Sequence, residues 1–478
     1  MNTKSFSLAA LIVSVTCCFH GAAQDSKPEA SLSESALLLS KFIQYESITG
    51  NERPAGEFLA SVCREKALHV EILSDEKDSY NFAASLYPLS SRKPNIVFLN
   101  HLDVVPPGDT ASWTYPPFSG VIADSMVWGR GSIDLKGLAI MQVLAISSLT
   151  EQSRLFDLPY NVTVLCVSQE EDGSTKGTQR VVSEHFDKLQ AEVVFGEGGA
   201  GVDGLLDSNP EQIVFCISTG EKQALWLRLR VKIPSSGHGS VPPAEYANKV
   251  IVQALSRLMT SKQKISISSA NVDMFESLGK IEKGLKGFVL RNIRLFKPLI
   301  GPMLRKDPKV LAIVSNTITL TNLSNPSGAT NQIAQEVTAS LDCRLLPGTN
   351  QKKFIAEISK TLKKTNVFVD VELETVNAIP SSIKTEFFQN FKLAIQEVYP
   401  GTRVVPYLFP AYSDNNYFRN MGIPVYGIKP VHLSKELLLS IHNVDERLPI
   451  KCLEQGIEVY KSFLDKILVP STTITALN

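Results

Sequence analysis

The sequence predicts an α/β protein in which a layered domain carries an inserted α+β domain of ferredoxin-like order. Short apolar runs alternate with helix-forming segments before residue 220, which is typical of layers around a largely parallel sheet. In the next segment the strands alternate apolar with polar residues, so one face of their sheet should be exposed to solvent. We therefore expect one domain over 31–220 and 376–470, with a second domain inserted at 221–375.

The elements of the first domain follow from the spacing of apolar residues. Helical periodicity predicts helices at 31–45, 54–66, 138–149, 176–186, 384–398 and 449–467, with another opened by 413–419. Apolar runs predict strands at 96–99, 161–167, 191–195 and 424–428, with a short one around Val404. The helix at 138–149 is apolar on most sides, so we expect it to be buried.

The inserted domain has its own repeating order. Strands are predicted at 225–233, 316–322, 337–345 and 367–374, and helices at 243–259 and 350–364. The resulting order, β-α-β-β-α-β, is that of a two-layer ferredoxin-like domain with an antiparallel sheet.

Residues 264–314 exceed that pattern. Their central part, Gly287–Lys306, is rich in Leu, Ile and Phe with interspersed Arg and Lys, and Pro298 and Pro302 should break any long helix. Two interpretations stay open. The segment is either a helical cover packed on the domain, or an apolar surface for an acyl chain, a membrane or a second subunit.

Composition excludes some partners. Lys plus Arg and Asp plus Glu are equal at 48 each, so no basic excess predicts nucleic-acid binding. The N-terminus has Lys4, a short apolar segment and Ala23 before a polar stretch, which predicts a signal peptide over 1–23 and export to periplasm or medium. Beyond it, five widely spaced cysteines without a Cys-x-x-Cys pair predict buried free thiols.

Acidic and histidine side chains follow several of the predicted strands. Glu170 and Glu171 come directly after the run at 161–167, and two adjacent carboxylates beside a buried strand are costly without a cation or a proton-transfer role. Further candidates of this kind are His101, Asp103, Asp134, Glu197 and His442. Taken separately, each has an ordinary explanation, such as a helix cap for Asp134. Together, His nitrogens and carboxylates at the strand ends predict a paired zinc site in one crevice.

The motifs around these residues, in order along the chain, resemble the aminoacylase/carboxypeptidase family of co-catalytic zinc amidohydrolases. They are His101–Pro106, Trp113–Gly120, Gly129–Lys136, Glu170–Glu171, Glu197, Ser235–Pro242 and His442–Glu446. The insert at 264–314 is most similar to the branch of Gly-X carboxypeptidases and secreted N-fatty-acyl-amino-acid hydrolases. One departure is that the family's usual Thr-Asp-Ala/Ser-Arg signature is here Ser413-Asp-Asn-Asn416.

The resemblance implies a role for each residue. Two Zn²⁺ per subunit would be held by His101 and Glu197 on one side and by Glu171 and His442 on the other, with Asp134 bridging them. The remaining expected site residues are Asp103 as partner of the liganding imidazole, Glu170 as general base and then acid, His238 for the oxyanion, and Asn331 and Arg344 for the substrate carboxylate. The inserted domain would be a lid and dimerisation domain.

We therefore expect an exported zinc hydrolase that cleaves the amide bond on the amino side of a residue with a free carboxylate. Its substrates would be dipeptides or N-acyl amino acids, attacked by a zinc-bridging water. An alternative is a small-acyl deacylase of the acetylornithine or succinyl-diaminopimelate type. A rival of another class is a non-catalytic binding module on the same fold.

Overall fold

The computed structural model describes residues 32–155, 157–234, 237–325, 329–362, 366–375 and 378–468. The predicted signal peptide at 1–23 lies outside the described residues. So do Ser235 and Ser236 of the motif before His238.

The strands, in chain order, are β1 (His69–Glu76), β2 (Ser79–Ser85), β3 (Asn95–His101), β4 (Ile122–Ala123), β5 (Met126–Trp128), β6 (Asn161–Val167), β7 (Ala191–Val202), β8 (Val214–Glu221), β9 (Gln223–Lys232), β10 (Thr317–Ser324), β11 (Glu336–Leu345), β12 (Phe368–Glu374), β13 (Arg403–Phe409), β14 (Val425–His432) and β15 (Arg447–Pro449).

The helices, in the same order, are α1 (Glu34–Ile43), α2 (Arg53–Glu65), α3 (Lys136–Ser147), α4 (Thr150–Leu155), α5 (Thr178–Leu189), α6 (Ala247–Met259), α7 (Ser269–Ile281), α8 (Gly284–Arg291), α9 (Ile293–Leu304), α10 (Pro308–Val314), α11 (Gln351–Leu362), α12 (Glu386–Val398), α13 (Asn415–Asn420), α14 (Lys435–Ser440) and α15 (Ile450–Leu468).

The large sheet has eight strands in the order β1-β2-β6-β3-β7-β14-β8-β13. Its central strands β6, β3, β7 and β14 pair in parallel, as the sequence predicts. Antiparallel pairs β1–β2 and β2–β6 extend one edge, so the sheet is mixed rather than parallel throughout. Because the central strands run the same way, residues at their carboxyl ends meet at one edge of the sheet.

Helices cover both faces of this sheet. Successive strand residues point to opposite faces, so Phe98 packs towards Tyr460 of α15, with ring centroids 4.9 Å apart. Its neighbour Leu99 lies in a separate core with Val181 of α5 and Phe418 of α13. The predicted burial of α3 is confirmed, since ten of its residues from Lys136 to Ile146 are buried.

The second, smaller sheet has the order β10-β11-β9-β12 with every pair antiparallel. Helices α6 and α11 cover one face and form a core with β9 and β11. On the other face Trp226 of β9 is 43% exposed, which agrees with the predicted exposed face. The order β9-α6-β10-β11-α11-β12 is the ferredoxin-like order predicted. The domain boundaries at 221 and 375 stay a prediction.

The surplus segment at 264–314 forms the helices α7 to α10. The prediction that its prolines break the helix is wrong, because Pro298 and Pro302 both lie inside α9. Each proline removes one backbone donor, but α9 is only 12 residues long, and its buried Ile293 and Gly301 hold one face against the protein.

The five cysteines of the described chain are free thiols, as predicted. Cys63, Cys166, Cys216 and Cys343 are buried and Cys452 is half-buried. Among the described helices, none combines the length and the apolar character needed to cross a bilayer.

Candidate metal centre

His101 is the last residue of β3 and is 4% exposed. Its Nδ1 lies 2.8 Å from the main-chain oxygen of Asp103. A carbonyl can only accept, so Nδ1 carries a hydrogen, and Nε2 is the nitrogen left to face a metal. That Nε2 lies 3.7 Å from Oδ1 of Asp134, the residue predicted to bridge two metals. The imidazole is therefore oriented with its free nitrogen towards the carboxylates.

The side chain of Asp103 holds the turn that carries the two adjacent glutamates. Its Oδ1 and Oδ2 each accept a backbone N–H at 3.1 Å, from Glu170 and Glu171 respectively. The preceding N–H, of Gln169, is bonded to the buried carboxylate of Glu52 at 3.2 Å. Three successive amides are thus fixed by two buried anions. The Asp103 carboxylate lies farther, 3.6 Å, from His101 Nδ1.

His442 joins the cluster from the loop after α14. Its Nε2 lies 3.2 Å from Oδ2 of Asp134 and 3.1 Å from Oε1 of Glu171. Asp134 therefore faces His442 with one oxygen and His101 with the other.

Asp134 is positioned by Glu446, a fully buried carboxylate just beyond His442 in the chain. Glu446 accepts N–H groups of Gly131, Ile133 and Asp134 at 2.8 to 3.0 Å, and it pairs with the buried guanidinium of Arg130 at 2.8 Å. The loop before α3 is thereby fixed at four points. Glu446 belongs to a motif recognised in the sequence, but sequence reasoning assigned it no role.

Lys429 of β14 is a member of the cluster that sequence reasoning missed. Its ammonium is 2.9 Å from Oδ1 of Asp134 and 3.4 Å from Oε2 of Glu197, and the residue is 7% exposed. Burial alone would lower the pKa of Lys429, but the two carboxylates outweigh it and hold that pKa above its usual value. A lysine within the apolar run of β14 was the available sequence signal.

Three groups of side chains in the described chain could each hold a metal, with ligand atoms in each group within 4.8 Å of one another. The first is His101, Asp134 and Glu197, the second is Asp134, Glu171 and His442, and the third is His101, Glu170 and Glu171. The first two share Asp134, as a bridging carboxylate must be shared. Nitrogen and carboxylate oxygen are the donors that catalytic zinc takes. The residues therefore fit a pair of divalent ions, which would offset the surplus of buried negative charge.

Glu170 belongs to the third of these groups, with His101 and Glu171. Within the described parts of the chain, its carboxylate forms no hydrogen bond or ion pair, whereas its backbone N–H is fixed by Asp103. Burial and then the charge of Glu197 raise the pKa of Glu170 well above its usual range. Glu170, His101, Glu197 and Asp414 line a small cavity with room for about one water molecule. The group can take up a proton from a molecule held there.

The segment 413–416, which differs from the family's usual signature, contacts Glu221 at the end of β8. This buried carboxylate accepts from the backbone and side chain of Ser413 and from the amides of Asn415 and Asn416. It also pairs with the buried Arg419 at 3.0 Å. Asn416 is therefore engaged inside the protein.

The three residues predicted in the lid are not brought to the metal cluster by any described contact. His238 and Asn331 contact each other, with Nε2 of the first 2.8 Å from Nδ2 of the second, and both are exposed. Arg344 on β11 donates from Nε to both carboxylate oxygens of Asp342, at 2.9 and 3.2 Å. Their predicted roles stay predictions.

Comparison with known proteins agrees with this arrangement. The model of peptidase family M20/M25/M40 matches residues 97–466. Over 399 residues the chain is 26% identical to the probable carboxypeptidase S-like 2 of Dictyostelium discoideum, covering 83% of this chain and 75% of that protein. Over 373 residues it is 28% identical to the N-fatty-acyl-amino acid synthase/hydrolase PM20D1 of Xenopus tropicalis, covering 76% and 70%.

Among solved structures, the M20 family metallo-carboxypeptidase Sso-CP2 from Sulfolobus solfataricus is similar, with a TM-score of 0.71 at 20% identity. The similarity covers 91% of this chain and 99% of that one, which confirms the predicted α/β fold class. The family model spans all five predicted metal ligands, so the predicted enzyme class, a metallopeptidase or amidohydrolase, is confirmed as well. The chain belongs to peptidase family M20/M25/M40.

Proposed function

We propose that this protein is an exported zinc amidohydrolase that cleaves the amide bond on the amino side of a residue with a free carboxylate. The substrates are dipeptides or N-acyl amino acids. The observation that carries the proposal is the shared carboxylate of Asp134 between two three-residue groups, with the unpaired Glu170 carboxylate beside them. Export rests on the N-terminal pattern over residues 1–23.

We assign His101 and Glu197 to one Zn²⁺, Glu171 and His442 to the other, and Asp134 to both. When bound, two zinc ions polarise the substrate carbonyl and lower the pKa of water between them. Histidine nitrogens and carboxylates in this number are typical of such pairs. The hydrogen bond from His101 Nδ1 fixes the tautomer that a metal ligand needs.

Glu170 is the proposed proton carrier. Its carboxylate takes the proton of the attacking water and then delivers it to the leaving amine, so the same group serves as base and acid. Its raised pKa suits the acid step, and its fixed backbone keeps the carboxylate at the cavity it lines.

We assign recognition of the substrate carboxylate to Arg344 and Asn331, and stabilisation of the oxyanion to His238. In this conformation Arg344 donates from Nε to both carboxylate oxygens of Asp342, so a substrate carboxylate would replace an existing carboxylate partner. His238 and Asn331 contact each other at the protein surface. Both could therefore reach an active site when the lid closes, or the active site of a second subunit. A homodimer is therefore part of the proposal.

Long-chain N-acyl amino acids are the substrates we favour. The relative from Xenopus tropicalis carries the name N-fatty-acyl-amino acid synthase/hydrolase, and the apolar insert at 264–314 suits a protein that meets acyl chains or a membrane surface. The relative from Dictyostelium discoideum is named carboxypeptidase S-like, which keeps dipeptides in the proposal. Small-acyl deacylation ranks below both.

The test is release of the same free amino acid from three matched substrates by zinc-loaded protein. They are a long-chain N-acyl amino acid, a dipeptide and an N-acetyl amino acid. We expect the highest kcat/KM for the long-chain substrate. A preference for the dipeptide would make the enzyme a dipeptidase or carboxypeptidase, and a preference for the acetyl substrate would favour the small-acyl alternative. No release from any of them, with zinc bound, would contradict the proposal.

A further inference from the structure

Helices α8 and α9 expose several large apolar side chains close together in the sequence. These side chains are Leu285, Phe288, Leu295, Leu299 and Met303, with exposed fractions between 48% and 77%. We call them the α8–α9 surface. Single exposed apolar residues are common, but five of them within 19 consecutive residues form a set that requires a partner or a function.

Three of the five lie on one face of α9. Leu295, Leu299 and Met303 are spaced by four residues, which places them above one another on a helix. On the same helix Ile293 and Gly301 are buried, so α9 is anchored by one side while the stripe is turned outward. The rings of Phe288 and Phe296 lie 5.7 Å apart and join α8 to α9. The stripe is thus presented by a fixed element.

The charged side chains of α8 and α9 are all basic, although Lys286 pairs with Asp207 at 2.6 Å. Between residues 283 and 306 the sequence contains seven basic and no acidic residues. These are Lys283, Lys286, Arg291, Arg294, Lys297, Arg305 and Lys306. Arg305 and Lys306 are exposed, and in the described chain neither forms an ion pair. An apolar stripe flanked by unpaired cations fits a partner that is both apolar and anionic.

We propose that the α8–α9 surface docks on an anionic lipid bilayer, with the stripe entering the acyl region and the basic residues meeting the headgroups. A second copy of this chain fits poorly, because two such segments would bring like charges face to face. Docking itself depends only on this surface. Its use, to take up N-fatty-acyl amino acids from the bilayer, rests on the proposed function.

The experiment measures co-sedimentation of zinc-loaded protein with vesicles of phosphatidylcholine, with and without phosphatidylglycerol. Wild type should bind the anionic vesicles more tightly, and added salt should weaken that binding. The variant Leu295→Ser/Leu299→Ser/Met303→Ser should lose at least about tenfold in affinity, since three apolar side chains no longer enter the bilayer. The matched control Val252→Ser/Met259→Ser/Leu439→Ser changes three apolar residues exposed elsewhere and should bind like wild type.

Hydrolysis of a short-acyl substrate in vesicle-free buffer reports folding of the variants and tests the proposed function separately. It should be equal in all three proteins. Triple-variant binding at the wild-type level would overturn the proposal, because binding would then be electrostatic only. The proposal would also fail if wild type bound neither kind of vesicle. It would fail as well if wild type bound no vesicle but formed a dimer, seen by light scattering, that the triple variant does not form.

Discussion

At the scale of single residues, the centre includes buried ionisable groups that sequence reasoning did not single out. Lys429 is the buried cation that contacts both Asp134 and Glu197. Glu52 is almost fully buried, and one of its two carboxylate oxygens has no partner among the described residues. Each of these groups is costly to bury, so each should respond measurably to substitution.

Replacing Lys429 should strengthen metal binding. The ammonium occupies oxygen atoms that the group of His101, Asp134 and Glu197 would offer a metal, and its charge repels a divalent ion. We expect Lys429→Met to bind zinc at that group at least about tenfold more tightly, and the metal-free variant to melt at a lower temperature than wild type. Competition against a zinc indicator and thermal unfolding measure the two effects.

Lys435→Met is the control, because Lys435 is exposed on α14. It should match wild type in both measurements. Zinc affinity of Lys429→Met at or below the wild-type value would show that the lysine does not compete with the metal.

Glu52 should make stability depend on pH. Burial raises its pKa from an ordinary 4.5 to about 7. The folded state thus holds the proton of Glu52 more tightly than the unfolded state does. The contribution of protonated Glu52 to the free energy of unfolding is therefore full below pH 4.5 and is lost as pH rises to about 7. Glu52→Gln has no proton to lose at this position, so it lacks this pH-dependent contribution. The stability of wild type relative to Glu52→Gln should therefore fall by up to about 3 kcal/mol across this window. Denaturant unfolding at several pH values tests it, and a constant difference would rule it out.

At the scale of elements, three buried carboxylates fix the three loops that carry the chemistry. Asp103 holds the turn of Glu170 and Glu171, Glu446 holds the loop before α3, and Glu221 holds the segment entering α13. Each anion accepts backbone N–H groups that no helix or strand satisfies. These loops follow β6, β5 and β13, of which β5 belongs to a separate three-stranded sheet with β4 and β15. The buried carboxylates therefore set the shape of loops that come from two different sheets.

Glu446→Gln should damage both folding and metal binding. The amide keeps the shape but carries no charge for the buried Arg130, and its NH₂ group faces backbone donors. We expect a loss of about 2 to 4 kcal/mol in unfolding free energy and weaker zinc binding, because Asp134 loses an anchor. Calorimetry and zinc titration provide the measurements.

Glu436→Gln is the matched comparison, because Glu436 pairs with Arg447 but is 78% exposed at its side chain. This exposed pair should contribute less than about 1 kcal/mol. Equal losses in the two variants would mean that Glu446 is not an anchor.

At the scale of the whole molecule, the sequence predicts most strands of two of the three sheets and a candidate ligand set, but not the long-range contacts. Apolar runs predicted β3, β6, β7 and β14, and the alternation of apolar with polar residues predicted the strands of the ferredoxin-like order. Strand β8 was missed although it is fully buried, since its apolar run adjoins the predicted boundary near residue 220. The edge strand β1 and its neighbour β2 carry mixed polar patterns that resemble loops.

The candidate site divides in the same way. The candidate ligands could be proposed because motifs and strand ends are local features of the sequence, and the structure brings these side chains within 4.8 Å of one another in small groups. The contacts of Lys429, Glu52 and Glu446 join residues far apart in the chain, and no local pattern specifies such pairs. The reverse holds for Arg344 and His238, where the resemblance assigns a role that the observed contacts do not yet display.

The central claim is that Glu170 carries the proton at a metal pair that it does not hold, and Glu170→Gln tests it most directly. Zinc content by mass spectrometry and turnover of an N-acyl amino acid should be measured on the same sample. We expect unchanged zinc and a fall in kcat of at least about a hundredfold. Glu192→Gln, at an exposed glutamate on β7, should keep both. Full turnover by the zinc-loaded Glu170→Gln protein, or loss of zinc together with activity, would contradict the claim.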